Sequence, residues 1–109
     1  MGDEHRRARN RGKNFERVVA KALGGFRPAG GNRGLQCSDI GGVPWSVEAT
    51  RTAQVWKRLR PKWEQAVVNG LLEGKEPVLI AAYPRQRLKD AVVVCRFELF
   101  ESLLNKEKE

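Results

Sequence analysis

Histidine occurs once in this 109-residue chain, at His5, and cysteine twice, at Cys37 and Cys95. A zinc site draws three or four ligands from imidazole, thiolate and carboxylate groups, usually with two of them close in sequence; these three residues are scattered. Hydrolases and nucleases that work through a positioned imidazole have no candidate, because His5 lies in a polar, basic stretch. The cysteines form no CxxC pair and read as small buried apolar residues. No apolar run approaches the roughly 18 residues that cross a membrane. The opening residues MGDEHRRARNRGK carry no apolar segment of the secretory kind, so a cytoplasmic protein is expected. Catalysis, if present, must rest on carboxylates, hydroxyls, Lys or Arg.

Acid is also scarce, but only locally. The whole chain carries +8. From His5 to Trp63 there are 14 Lys and Arg against three acids, whereas the remainder from Glu64 is close to neutral. Such segregation is the footprint of a phosphate-binding surface. The basic stretches lack the strong apolar faces of an interfacial helix, so no membrane partner is expected.

The length suits one domain, and no repeat is visible. Residues 1–11 read as a flexible basic arm in which Arg6, Arg7, Arg9 and Arg11 add phosphate contacts. Residues 12–109 read as the single folded domain. A helix is expected over 14–23, with Phe15, Val18, Val19, Ala22 and Leu23 on one face and Gly24-Gly25 as its stop. Residues 26–36 read as a Gly- and Arg-rich loop with a short strand at Phe26-Arg27; the spacing of a P-loop is absent. A short strand at 37–40, the Gly41-Gly42 turn and an alternating strand at 45–50 form a hairpin that brings Asp39 towards Glu48. Alternation puts Val47 and Ala49 on one side and Ser46, Glu48 and Thr50 on the other.

Residues 51–60 read as a basic connector, and Pro61 as the first residue of a second helix. Trp63, Ala66, Val67 and Leu71 form the expected apolar face of that helix. Arg58, Lys62, Gln65 and Asn69 form a separate polar stripe. Continuous apolar runs at 77–83 and 91–95 read as buried strands. A closing helix is expected over 97–104, with Phe97, Phe100, Leu103 and Leu104 on one face, followed by a frayed tail. The order predicts an α/β protein with a mixed sheet of about five strands flanked by helices.

The three acids of the basic half are Glu16, Asp39 and Glu48. Each falls on or beside a predicted element, next to apolar residues. Carboxylates among cations are what a hard divalent ion at a phosphodiester needs. The plain alternative is surface acids paired with nearby arginines, such as Glu16 with Arg17 or Arg27.

The arrangement resembles the PD-(D/E)XK nuclease superfamily, and within it Holliday junction resolvases of the archaeal and phage type. The matching segments are Gly12-Lys13-Asn14-Phe15-Glu16-Arg17, Ser38-Asp39-Ile40, Trp45-Ser46-Val47-Glu48-Ala49-Thr50, Trp63-Glu64-Gln65-Ala66 and Gly74-Lys75-Glu76-Pro77-Val78-Leu79. The resemblance implies a restriction-endonuclease-like core and Mg²⁺-dependent hydrolysis of DNA, with Mn²⁺ as an alternative ion. It implies Asp39 and Glu48 as metal ligands, Glu16 contributing from the first helix and Gln65 facing the site from the second. It implies a homodimer acting on four-way junctions in DNA recombination and repair, in a bacterial, archaeal or phage-infected cell. Along the chain, Lys13, Arg17, Arg27 and Arg33 are candidate DNA contacts. Further along, Arg51, Lys57, Arg58, Arg60 and Lys62 join them.

One position departs from the family pattern. Thr50 stands where a lysine is expected two residues after the Glu. Three readings stay open: a cation relocated to Lys57, Arg58 or Lys62, an ion assisted by the Thr50 hydroxyl alone, or a DNA-binding module with weakened or lost cutting. A restriction-type or nicking nuclease of the superfamily is a further alternative. Trp63 reads as core. Trp56 reads as a base-stacking residue or as part of a dimer interface.

Overall fold

Alternation along 45–51 dictates the centre of the fold. The computed structural model describes residues 2–28 and 38–108, with side chains described for 13–28 and 38–107. Arg33, Cys37 and the side chains of Arg6, Arg7, Arg9 and Arg11 lie outside what is described. The elements are helix α1 (Gly2–Leu23), strand β1 (Trp45–Arg51), helix α2 (Val55–Glu73), strand β2 (Glu76–Ala82), a 3₁₀ turn at Leu88–Asp90, strand β3 (Val92–Val94) and helix α3 (Phe97–Lys108).

The sheet has the order β1-β2-β3. β1 and β2 run parallel, with Glu48 beside Leu79 and Thr50 beside Ala81. β3 is antiparallel to β2. A parallel pair needs a crossover, and α2 supplies it. Val47, Ala49, Ile80 and Ala82 pack with Phe15, Val19 and Ala20 of α1 and with Ile40 and Val43. Residues one step along each strand face α2 instead, where Val55 and Ala66 are buried. The molecule is therefore an α/β protein with a mixed sheet between two helices. Among the described residues, no helix is long and apolar enough to cross a membrane.

Several boundaries differ from expectation. Only three strands form among the described residues. The two strands expected near 26 and 37–40 are reduced to the isolated bridges Phe26↔Gly41 and Ile40↔Val47. Glycines flank both bridges, and glycine weakens strand pairing; Gly42 sits at φ 77, where it turns the chain towards β1. The backbone of 2–11, expected as an irregular arm, continues α1. That stretch carries four arginines, which favour helix, and has no proline to break it.

α2 begins at Val55, not at Pro61, which sits inside the helix. The expected connector is helical because Val55 and Leu59 extend the inward stripe that Ala66 continues. The Arg58 amide closes the first turn on the Gln54 carbonyl at 3.0 Å. Gly74 ends the helix at φ 66, and the Lys75 amide returns to the Gly70 carbonyl at 2.9 Å. Gly70 permits that close approach, since a Cβ there would lie 2.7 Å from the Lys75 carbonyl oxygen. β2 matches the buried strand expected at 77–83. α3 runs to Lys108, through the segment expected to fray, but it does not close over the core: Phe97 is 74% exposed and Phe100 51%.

Candidate functional site

Glu48 lies mid-way along β1 on the side that faces α2, and it is only 3% exposed. An isolated carboxylate there is costly to ionise, so it needs partners. Asn69 of α2 donates from Nδ2 to Glu48 Oε1 at 2.5 Å. The second partner is Asp39. Its backbone amide donates to the Val47 carbonyl at 2.9 Å, which anchors residue 39 against the edge of β1. Its side-chain Oδ2 accepts the Ala49 amide at 2.9 Å. The Asp39 and Glu48 side chains lie close enough for each to act on the ionisation of the other.

Two adjacent buried carboxyls do not both ionise readily. Burial pushes Glu48 up to about 8, and the negative charge of Asp39 adds to the rise. Burial raises Asp39 as well, opposed by the Ala49 amide and helped by the charge of Glu16. Their mutual interaction lowers Asp39 and raises Glu48, which favours the proton on Glu48. At neutral pH Glu48 therefore holds its proton.

Of the remaining expected site residues, some meet this pair and some do not. Glu16 is close enough for its charge to act on Asp39, but its carboxylate accepts the Arg27 Nε–H at 2.7 Å. The alternative pairing with Arg27 is therefore the one formed. Thr50 is half-buried on the same side of β1 as Glu48. Gln65, expected to face the site, is exposed. The inward stripe of α2 runs Val55, Leu59, Lys62, Ala66, Asn69 and Glu73, and Gln65 sits roughly a quarter turn from its centre at 3.6 residues per turn. The expected apolar face is rotated for the same reason: Leu71 is 75% exposed while Asn69 is buried. Glu48 needs a buried hydrogen-bond donor, and that need outweighs the apolar pattern. Trp63, expected in the core, is half-buried, and Trp56 is 66% exposed.

The same stripe carries residues that periodicity alone did not single out. Glu73, at the end of α2, accepts the Ser38 amide at 2.6 Å, the Ser38 hydroxyl at 3.1 Å and the Ser46 hydroxyl at 3.2 Å. An acid in the last turn opposes the helix dipole, and these three donors offset that. Glu73 thereby fixes the segment that carries Asp39. The sequence signal was present in the polar residues 62, 69 and 73, spaced seven and four apart, opposite the polar strand positions 46, 48 and 50.

The cations divide by role. Lys13, Arg17, Lys57, Arg58 and Arg60 are exposed, and Arg60 pairs with Glu64 at 3.2 Å. Lys62 is half-buried, and its charge lowers both Asp39 and Glu48. Arg51 points away from the pair, as alternation requires. It lies over the Phe15 ring at 4.6 Å and donates to the Tyr83 and Gln86 carbonyls, both at 3.1 Å. A cavity of about 300 Å³ beside Arg51, lined also by Asn14, Phe15, Val18, Pro84 and Arg85, belongs to that opposite side.

Among the described residues, no group of three or more His, Cys, Asp and Glu side chains is gathered as one ion site. The donor set brought together is the pair Asp39 and Glu48, two hard oxygen ligands. That set fits an ion such as Mg²⁺, which retains several waters and takes one or two carboxylates. No protein family model matches the chain, and comparisons with curated proteins and with solved structures find no match.

Proposed function

We propose that this chain is a Mg²⁺-dependent endonuclease of the PD-(D/E)XK kind, acting as a homodimer on branched DNA of the four-way type. The observation that carries the reading is the meeting of Asp39 and Glu48. Two of the three acids in a strongly basic half of the sequence come from different segments and lie close enough to shift each other's ionisation, with the charge of Lys62 acting on both. Asp39 and Glu48 would hold the ion, with Mn²⁺ as the alternative. When bound, the ion would polarise a phosphodiester and supply an activated water. Lys13, Arg17, Lys57 and Arg58 would hold the polyanion through charge. The β1–α2–β2 unit, with its acids on β1 and on the segment paired to it, supports a restriction-endonuclease-like core.

The homodimer is supported by a separate surface. An apolar groove of about 200 Å³ is lined by residues including Leu23, Trp45, Val93, Leu99 and Leu103, and α3 also exposes Phe97 and Phe100. Contiguous apolar surface rimmed by polar residues marks an interface.

A second reading is favoured by Thr50: a DNA-binding module of the same fold whose cutting is weakened. Incubation of the purified protein with labelled junction, flap and linear duplex, in Mg²⁺ or EDTA, separates the two. Metal-dependent cleavage of the junction is expected. Binding of all three substrates with no metal-dependent product would select the module, and equal cutting of duplex would select a nicking or restriction-type enzyme.

A further inference from the structure

A phosphodiester attacked by water gathers negative charge, and a fixed positive group at that phosphate lowers the barrier. Carboxyl groups supply no positive charge, so the chain must supply the cation from elsewhere. Strand β1 offers none on the relevant side: Ser46, Glu48 and Thr50 are the residues facing α2. Arg51 is turned to the opposite side and tied to the 83–86 carbonyls. Arg27 is committed to Glu16. Lys57, Arg58 and Arg60 are exposed on the outer faces of α2.

Lys62 differs from all of these. It occupies the inward stripe of α2 seven residues, or two turns, before Asn69, and Asn69 donates to Glu48. Pairing along the two elements runs Ser46 with Glu73, then Glu48 with Asn69; in that progression Thr50 falls next, opposite the Lys62–Ala66 stretch. Ala66 is fully buried, so this stretch of α2 faces the interior of the protein. The Lys62 charge lowers both carboxyls, which accords with this place on the stripe.

We infer that Lys62 contacts the reacting phosphate from α2, filling the role left open by the neutral Thr50 on β1. This rests on the nuclease reading and names the residue that stabilises its transition state. It carries a geometric corollary: positions 50 and 62 converge on one point, so a lysine at either serves.

The test compares wild-type protein with Lys62→Met, Lys62→Arg and the double variant Thr50→Lys/Lys62→Met. Methionine keeps the apolar stem and removes the charge. Three readouts are taken: Mg²⁺-dependent junction cleavage, junction affinity in EDTA, and Mn²⁺ affinity without DNA. Lys62→Met is expected to cut on the order of 100-fold more slowly, the usual loss for one transition-state donor. Its junction affinity should fall only a few-fold, because many cations share the phosphate backbone. Its Mn²⁺ affinity should hold or rise, since a neighbouring positive charge has gone. Lys62→Arg should retain part of the rate, and the double variant should regain at least tenfold. Wild-type cutting by Lys62→Met would overturn the inference, and so would equal losses of affinity and rate, or a double variant as slow as the single one. Failure of the nuclease reading shows earlier and differently, as a wild-type protein with no metal-dependent product, and it overturns this inference too.

Discussion

Glu48 carries the clearest physical signature of any residue in the molecule. Its folded value of about 8 stands well above the ordinary 4.5. Between those values the folded state holds a proton that the unfolded chain has released. Stability therefore falls as pH rises through that window in the absence of divalent ions, and is greatest at its acid end. Glu48→Gln mimics the protonated form and keeps a donor towards Asp39. Its melting temperature should stay nearly flat from pH 5 to pH 8 while that of the wild type drops; parallel curves for the two proteins would contradict a protonated Glu48 in the folded state. Glu73 makes a second residue-scale case. Glu73→Ala strips three donors on Ser38 and Ser46 of their acceptor, and an unfolding free energy lower by about 1–3 kcal/mol, read from a denaturant titration, is expected. The two acids differ in kind: one sits in the candidate site, the other only positions a partner.

At the scale of elements, α2 decides the site, and it shows where the sequence was legible. The alternation of β1 placed Glu48 and Thr50 on one side and Arg51 on the other, because a strand's period of two leaves no freedom. The turn at Gly41-Gly42 brought Asp39 to Glu48, as expected. The face of α2 was misread, because apolar Leu71 and polar Asn69 invert the usual pattern; only the partner across the gap, Glu48, explains why an amide is buried there. Pro61 looked like a helix start, since nothing local reveals that Val55 will find a packed position one and a half turns earlier. That proline lacks an amide for the Lys57 carbonyl. Pro61→Ala is accordingly expected to raise stability by about 1–2 kcal/mol, read from a urea midpoint, with no change in junction affinity.

The whole molecule divides its surface by chemistry. The sequence segment that carries the carboxyl pair is basic, whereas β3 and α3 expose Val93, Phe97 and Phe100. α3 was foreseen as amphipathic, but a single chain leaves its apolar face uncovered, and that is a property of packing that no local pattern encodes. Under the homodimer proposal, Phe100→Glu should convert a dimer to a monomer in light scattering, and it should uncouple the two cuts of a junction while single nicks continue. The central claim is that Asp39 and Glu48 are cutting residues rather than buried structural acids. The most direct test measures junction cleavage in Mg²⁺ and junction binding in EDTA for wild type, Asp39→Ala and Glu48→Gln. The account predicts that both variants bind the junction like the wild type and yield no product. Product from either variant at the wild-type rate would contradict it.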